Sequence, residues 1–302
     1  MLVLTAEIPP VSAAPLEQLI RWAGSDRSYL VCLPPDYSVQ QHSPLLLVFH
    51  GGGGNPGQVL KGSDIVDRAA REGWILVAPA GSGRMDRFLT WNVGFGFGYA
   101  MSANIDDIGF VGRLIEALKA AYRIDPDRIY ATGISNGGIL CHMLAGHLSD
   151  EIAAIAPIVA TAGGRPRGKT DWVHPPLPKH AVSVISFNGR QDRSIPLAGG
   201  LQQRSWGEPV EVWSTQQTID FWVRHDRCRP GPVFERSDAA QYERSVYSGG
   251  IEGSEVVQYM LLNQGHAWPG GKKGYLLGDE PTQLLSANSL MFEFFKKHPK
   301  SR

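Results

Sequence analysis

The chain has 302 residues, of which 43 % are apolar, and this is enough to bury a sizeable core. Its 29 basic and 29 acidic residues leave a formal net charge of zero, so nucleic acid is not expected as a partner. No apolar run approaches the length that crosses a bilayer, and no membrane span is expected.

The N-terminal part of the chain is expected to be irregular before it enters a sheet. Residues 1–25 have no basic segment ahead of an apolar one, so no signal peptide is predicted, and a short helix is the candidate structure for Leu16–Trp22. Residues 27–33 alternate between apolar and polar side chains and predict a strand. Residues 45–49 form a continuous apolar run, which predicts a strand buried on both faces.

The remaining predicted elements alternate between strand and helix. Helices are predicted at residues 63–71, 105–122, 137–148, 211–227 and 281–297, and strands at 74–78, 129–132, 152–158, 181–187, 246–247 and 255–262. This alternation predicts an α/β fold, with a mostly parallel central sheet and helices on both faces.

No domain linker interrupts this pattern, so residues 1–302 are predicted to form a single domain. Residues 81–104, 162–180 and 193–210 are expected to be loop excursions from it. Trp206 and Trp213 suggest that residues 193–213 form a partial lid.

The segment Gly133-Ile134-Ser135-Asn136-Gly137 lies between a predicted strand and a predicted helix. A G-x-S-x-G motif in this context is typical of a nucleophilic serine held on a tight turn, where neighbouring glycines let strand and helix pass close by. Ser135 would lie at a helix N-terminus, whose free N–H groups can stabilise an oxyanion. The alternative is a glycine-rich turn with an incidental serine.

Three chemically complementary residues each follow a predicted strand: Ser135, Asp192 and His266. The carboxyl ends of parallel strands meet at one edge of a sheet, and the order Ser, Asp, His is that of the α/β-hydrolase fold. His266 would take the proton of Ser135 as general base, and Asp192 would hold the imidazole tautomer. Rival acids and bases are Asp220, Asp226 and His225, within a predicted helix, and His298 in the tail.

A glycine run, His50-Gly51-Gly52-Gly53, follows a fourth predicted strand. In this fold such a loop supplies one backbone N–H to the oxyanion, and the residue after the nucleophile supplies another. The predicted donors are therefore Gly52, with Gly53 as the alternative, and Asn136. His50 itself is interpreted as a structural histidine of the loop.

Aromatic side chains near these motifs are candidates for binding the substrate. Trp91 and Phe95, in the long loop 81–104, and Trp268, beside His266, are predicted to contact an acyl group, although packing within the loop is the alternative. The histidines and three cysteines form no metal-binding pattern, so neither a metal nor an organic cofactor is expected.

On several of these stretches the chain resembles the polyhydroxybutyrate-depolymerase-like esterases of the α/β-hydrolase superfamily, which include feruloyl and acetylxylan esterases. The stretches are Arg27-Ser28-Tyr29-Leu30, Val48-Phe49-His50-Gly51-Gly52, Trp91-Asn92, Ile105-Asp106-Asp107-Ile108-Gly109-Phe110, Asp125 to Gly137, and Gly265-His266-Ala267-Trp268-Pro269-Gly270. The resemblance implies a secreted-type serine carboxylesterase with Ser135 as nucleophile, His266 as base and Asp192 as acid.

The chain departs from this family at two places. The loop that carries the acid usually reads His-Gly-x-x-Asp in the family, whereas Asn188 stands at the position of the histidine here. Many members also pair a cysteine at the position of Cys228 with one shortly before the last strand, where this chain has Gly249-Gly250. Cys228 is therefore predicted to be a free thiol.

The predicted function is hydrolysis of carboxylic esters through an acyl-enzyme, with feruloyl-type or other aromatic or short-chain acyl esters as the leading substrates. A polyester depolymerase, or an acyltransferase or peptidase with the same triad, is the alternative enzyme. A ligand-binding module that keeps the fold is the alternative that is not an enzyme. The partner is a small-molecule or polymer-linked ester, and the oligomeric state and compartment stay open.

Overall fold

A ten-stranded sheet organises the chain in the computed structural model, which describes residues 15–202, 209–237, 241–274 and 278–301. In chain order the strands are β1 (Leu16–Trp22), β2 (Ser25–Cys32), β3 (Ser43–Phe49), β4 (Ile75–Pro79), β5 (Ser82–Arg84), β6 (Arg87–Thr90), β7 (Ile124–Ile134), β8 (Ala154–Ile158), β9 (Gly164–Pro166), β10 (Ser183–Gly189), β11 (Gly200–Leu201), β12 (Val210–Val212), β13 (Val233–Arg236), β14 (Tyr242–Tyr247) and β15 (Val256–Leu261). The helices are α1 (Pro56–Ser63), α2 (Val66–Arg71), α3 (Tyr99–Ser102), α4 (Asp107–Ala121), α5 (Asn136–His147), α6 (Thr215–His225) and α7 (Ala287–Lys297).

The strand order of the large sheet is β1-β2-β4-β3-β7-β8-β10-β15-β14-β13. Its six inner strands, from β4 to β15, run parallel to one another, and the two strands at each edge are antiparallel to their neighbours. The inner strands β3, β4, β8 and β10 are buried at every position, as strands covered on both faces require. The predicted mostly parallel sheet is confirmed.

Helices cover both faces of the sheet and divide its apolar side chains into two cores. Phe110 of α4, Leu140 of α5 and Trp222 of α6 belong to the core on one face. Val59 of α1 and Phe292 of α7 belong to the core on the other. Helix α5 is buried along its whole length except at its last residue, because it packs between the sheet and neighbouring helices directly after the G-x-S-x-G turn. The predicted helices on both faces are therefore confirmed.

The N-terminal prediction was wrong for Leu16–Trp22, which forms strand β1 and not a helix. Its side chains alternate between half-buried and exposed, the period of a strand, and it pairs antiparallel with β2 across a tight turn at Ala23 and Gly24, both with positive φ. Residues 1–25 are thus not irregular throughout. The prediction of one domain over residues 1–302 stays a prediction.

The three predicted loop excursions contain short regular elements. Residues 81–104 include the β5–β6 hairpin and helix α3, and β9, β11 and β12 form a small separate sheet that joins the other two excursions. The helix predicted from residue 211 begins at Thr215, capped by Ser214. The helix predicted from residue 281 begins at Ala287. The helix predicted at residues 63–71 is shorter and corresponds to α2, whereas α1, which ends at Ser63, was not predicted.

The lid prediction for residues 193–213 falls partly on Trp206, which lies outside the described residues. Trp213 packs inward, with its ring 5.1 Å from that of His174. No helix in the described ranges has the length and hydropathy that spanning a bilayer demands.

The carboxyl ends of four inner strands reach the same edge of the sheet. Phe49 at the end of β3 lies opposite Gly133 of β7, and Gly189 at the end of β10 lies opposite Leu261 of β15. Strand β8 lies between β7 and β10 and places Ile158 beside Ile134. The loops that carry the predicted site residues therefore begin side by side.

Candidate active site

Ser135 lies on a strained turn between β7 and α5. Its φ of 55° and ψ of −120° fall in a region that residues with a side chain rarely adopt, and strain of this kind clusters at functional sites. The flanking glycines leave no room for a Cβ atom, which at Gly137 would lie 2.5 Å from the carbonyl oxygens of Phe49 and His50. At Gly133 it would lie 2.7 Å from the backbone of Gly137. The motif is therefore required by the close passage of strand and helix.

Asp192 and His266 form a hydrogen-bonded pair at the same edge of the sheet. Asp192 Oδ2 is 2.7 Å from His266 Nδ1, and the carboxyl group is almost fully buried. The other carboxyl oxygen, Oδ1, accepts the backbone N–H groups of Ser194 and Ile195 at 2.7 and 2.9 Å. Three hydrogen bonds thus fix the orientation of the carboxylate and, through it, of the imidazole ring.

Ser135 and His266 line one cavity, which has a volume of about 610 Å³. In the described part of the chain no hydrogen bond joins the Ser135 hydroxyl to the His266 ring. Contacts of this kind are often longer in a free hydrolase and shorten when the substrate is bound. The structure therefore brings the Ser135 hydroxyl and the His266 imidazole to one cavity, with the Asp192 carboxylate bonded to Nδ1 of the ring.

The glycine loop after β3 distinguishes between the two predicted oxyanion donors. Gly53 donates its N–H to the Leu89 carbonyl at 2.7 Å, and Gly54 donates to the Gly51 carbonyl at 3.0 Å. Gly52 is therefore the better of the two candidates, since the N–H of Gly53 is already engaged.

Asn136, the second candidate donor, begins helix α5, where the first backbone N–H groups have no partner within the helix. Its side-chain amide makes two hydrogen bonds to the backbone of Trp91. Oδ1 accepts the Trp91 N–H at 2.7 Å, and Nδ2 donates to the Trp91 carbonyl at 3.2 Å.

His50 is a structural histidine. The side chain is buried, Nδ1 is 2.8 Å from the Gly51 carbonyl, and Nε2 accepts the N–H of Gly81 at 3.0 Å. Burial lowers the pKa of His50 to about 4, so the ring is neutral near pH 7. Both ring nitrogens are used to hold the glycine loop, and neither is left for a substrate.

The structure contradicts the prediction that Trp91 contacts the substrate. Its side chain is fully buried, its ring packs edge-on against Phe49, and its Nε1 donates to the His50 carbonyl at 2.9 Å. Trp91 therefore supports the glycine loop from behind. Of the other two candidates, Phe95 and Trp268 both line the cavity, although Trp268 is also anchored by a 3.0 Å hydrogen bond to Asn288.

Two further aromatic residues of the loop 81–104, Phe97 and Phe88, cover the glycine loop. A Cβ atom at Gly52 would lie 2.5 Å from the Phe97 ring, and one at Gly53 would lie 2.6 Å from the Phe88 ring. The two rings have centroids 6.4 Å apart, and both line the cavity. The sequence does indicate such contacts, because the four consecutive glycines at 51–54 are typical of a backbone that other groups approach closely.

The rival residues lie away from the cavity. Asp226 pairs with His225 at 2.7 Å, and His225 Nε2 is 3.0 Å from the Pro178 carbonyl. Asp220 accepts a hydrogen bond from Gln216, and His298 Nδ1 is 2.7 Å from the Phe294 carbonyl. None of these rivals is among the described residues that line the cavity.

The described residues contain no group of three histidine, cysteine or acidic side chains placed to hold a metal ion. Cys32, Cys141 and Cys228 are buried free thiols, and burial raises the pKa of Cys228 to about 11. The cavity lining includes the side chains of Ser135 and His266 together with aromatic rings.

Comparison with known proteins gives one family and several named relatives. The model of the family described as Esterase PHB depolymerase matches residues 27–164. Feruloyl esterase B of Piromyces equi is 26 % identical over 256 residues, which cover 82 % of this chain and 44 % of that protein. The putative esterase NocK of Nocardia uniformis subsp. tsuyamanensis is 26 % identical over 295 residues, covering 88 % and 78 %. The chain thus spans less than half the length of the first relative.

The acetyl xylan esterase from Aspergillus awamori shares the fold, with a TM-score of 0.61, 11 % sequence identity and coverage of 93 % of this chain and 99 % of that one. These comparisons confirm the resemblance to polyhydroxybutyrate-depolymerase-like and feruloyl esterases, and they confirm the α/β-hydrolase fold. They support the predicted class of enzyme, a carboxylic ester hydrolase. The roles of Ser135, Asp192 and His266 stay predictions.

Proposed function

We propose that the chain is a serine carboxylesterase that hydrolyses esters of aromatic acids through an acyl-enzyme on Ser135. One observation carries the proposal. His266, joined to Asp192 at 2.7 Å, lies on the wall of the cavity that also holds a serine on a strained strand-to-helix turn. A hydroxyl is a poor nucleophile near pH 7 and needs such a base beside it.

In the acylation step the Oγ atom of Ser135 attacks the ester carbonyl while His266 Nε2 takes its proton. The Asp192 carboxylate, which already accepts at Nδ1, stabilises the imidazolium and keeps Nε2 directed at the reacting atoms. His266 then gives the proton to the leaving alcohol. Water repeats the sequence on the acyl-enzyme, releasing the acid and restoring the Ser135 hydroxyl.

The tetrahedral intermediate carries a negative oxygen that needs donors already in place. The backbone N–H groups of Gly52 and Asn136 are assigned to this role, with the dipole of α5 adding positive potential. Losing one such donor typically lowers turnover by roughly 10²–10³. Phe97 and Phe88 lie against the glycine loop and line the same cavity.

The aromatic lining supports an aromatic acyl group. Phe88, Phe95 and Phe97 line the cavity together with the aliphatic side chains of Ile139 and Ile195. Flat rings favour a planar acyl chain through offset or edge-to-face packing. Two of the relatives are named for feruloyl and acetylxylan esters, and a feruloyl-type ester is the leading substrate class for this chain.

Two measurements test the proposal. A fluorophosphonate probe is expected to label wild type and not Ser135→Ala. Both proteins are then assayed with methyl ferulate, p-nitrophenyl acetate, p-nitrophenyl butyrate and hydroxybutyrate oligomers. Wild type is expected to have its highest kcat/KM with methyl ferulate, and Ser135→Ala to be inactive with every ester.

The outcomes separate the alternatives. A preference for hydroxybutyrate oligomers would identify a polyester depolymerase, and an acyl product formed mainly with an added alcohol would identify an acyltransferase. Failure of the probe to label wild type would favour a ligand-binding module without catalysis.

A further inference from the structure

Asp279 is a second carboxylate beside His266, and the reaction described above does not use it. Its Oδ2 atom accepts the backbone N–H of His266 at 2.6 Å, and it lines the same cavity. It lies so close to the chain that a Cβ atom at Gly265 would be 2.2 Å from the same oxygen. Glycine at position 265 is therefore needed for this contact.

The loop that carries His266 has no regular structure of its own, and a later segment holds it in place. We call residues 278–283 the clasp. Thr282 donates its N–H to Gln264 Oε1 at 2.9 Å, and Gly270 donates its N–H to the Thr282 carbonyl at 2.8 Å. Asp279 adds the third bond, to His266 itself.

Gln264 connects the clasp to the loop of the acid. The buried side chain of Gln264 donates to the Ala267 carbonyl at 3.0 Å. The backbone carbonyl of Gln264 accepts the N–H of Gln191 at 2.9 Å. Because Gln191 directly precedes Asp192, these hydrogen bonds join the clasp, the loop of His266 and the loop of Asp192 into one unit.

Asp279 is itself exposed to solvent, so its effect on His266 depends on the hydrogen bond to the backbone and not on its charge.

We propose that Asp279 is a positioning residue for the base: it fixes the backbone of His266 and, through the backbone, the place of the imidazole ring. The proposal rests on the proposed function. It predicts that a carboxylate 13 positions beyond His266 contributes to turnover without touching the ester.

The test compares wild type, Asp279→Asn, Asp279→Ala and the control Glu280→Gln, each as the full chain, in steady-state kinetics with methyl ferulate. Asp279→Asn keeps an oxygen that can accept from His266 N–H, so its kcat is expected within about fivefold of wild type. Asp279→Ala is expected to lose roughly 10- to 100-fold in kcat, with a small change in KM, because the base is misplaced.

Glu280 makes a suitable control because it is the neighbouring carboxylate and pairs with Lys273, away from the base loop. Its Gln variant is expected to match wild type in kcat and in KM. A purely structural role for Asp279 would lower Tm in Asp279→Ala and leave the kcat of the folded variant unchanged.

Two results would overturn the proposal: a kcat in Asp279→Asn as low as that expected of Asp279→Ala, or a kcat in Asp279→Ala within twofold of wild type. If Asp279→Ala does not fold, Asp279→Leu, which also lacks the acceptor, takes its place, and the same limits apply. Ser135→Ala is measured in parallel. Full activity in that variant would refute the proposed function, whereas its inactivity with unchanged Asp279 variants would refute only the role of Asp279.

Discussion

In the described part of the chain two aspartate–histidine pairs are joined at the same distance, and only one of them has its histidine on the cavity wall. Asp192 and His266 are joined at 2.7 Å on loops that follow β10 and β15. Asp226 and His225 are also joined at 2.7 Å, at the end of helix α6. The carboxylate of each pair is buried, and the histidine of each is mostly buried.

The two pairs differ in what the second ring nitrogen does. His225 Nε2 lies 3.0 Å from the Pro178 carbonyl, so both of its nitrogens serve to tie the helix to a neighbouring loop. His266 lines a cavity that also holds the Ser135 hydroxyl. A histidine paired with a carboxylate therefore becomes a base only where its remaining nitrogen is open to a nucleophile and a substrate.

The strongest way to break this comparison is to remove the nucleophile. Ser135→Ala is expected to lower kcat for methyl ferulate by roughly 10⁶, because His266 then has no hydroxyl to activate. The Tm should stay within a few degrees of wild type, because a methyl group replaces a hydroxyl that makes no hydrogen bond in the described part of the chain. Steady-state kinetics and thermal unfolding check the two expectations, and residual activity within tenfold of wild type would contradict the assignment.

The second prediction exchanges the acid for its amide in each pair. Asp192→Asn is expected to lower kcat by roughly 10⁴, because an amide can donate to Nδ1 and so stabilise the wrong imidazole tautomer. Asp226→Asn, the matched control, should leave kcat within about twofold of wild type. Equal losses in the two variants, measured with the same ester, would show that the pairs are not distinguished by their place in the fold.

The sequence predicted the part of the site that depends on strand ends. Ser135, Asp192 and His266 could be identified because each follows a buried strand, and parallel strands bring their carboxyl ends to one edge. The same reasoning separates Asp192 from Asp226, which stands at the end of a helical pattern. These inferences need only the periodicity of the chain and the order of its elements.

What the sequence could not predict depends on packing between loops. The burial of Trp91 behind the glycine loop follows from its hydrogen bond to the His50 carbonyl, 41 residues away. Phe88 reaches Gly53 because a hairpin turns at Met85 and Asp86 with positive φ, and methionine is not a residue that indicates such a turn. The Asp279 contact likewise joins two loops that carry no strand or helix pattern.

Strand β1 was missed for a related reason. The apolar residues of Leu16–Trp22 are compatible with a helix as well as with a strand, and the choice is made by pairing with β2. A sheet edge is a tertiary contact, so local periodicity alone does not settle it.

The smallest expected effect concerns the pH dependence of stability at the structural pair. The hydrogen bond that His225 makes to the Asp226 carboxylate raises the pKa of His225, and burial raises the pKa of Asp226. The folded chain therefore binds these protons more tightly than the unfolded chain. Because His225 has a raised pKa, its contribution is fully present below the unfolded value of roughly 6.5 and is lost as pH rises through the folded value. His225→Gln is expected to lower the free energy of unfolding by about 1 kcal/mol near pH 6 and by less near pH 9.

Denaturant unfolding at the two pH values measures this difference, and kcat for methyl ferulate should stay within about twofold of wild type. His266→Gln is the matched control for activity, which it should abolish. His50 and His142 have pKa values lowered by burial to about 4 and about 3, so they shift stability in the opposite direction, but they are present in both proteins and cancel. A loss of activity of more than tenfold in His225→Gln, with stability unchanged, would contradict this assignment. It would mean that His225 acts as the base although both of its ring nitrogens are engaged, so that an open second nitrogen is not what makes a histidine a base.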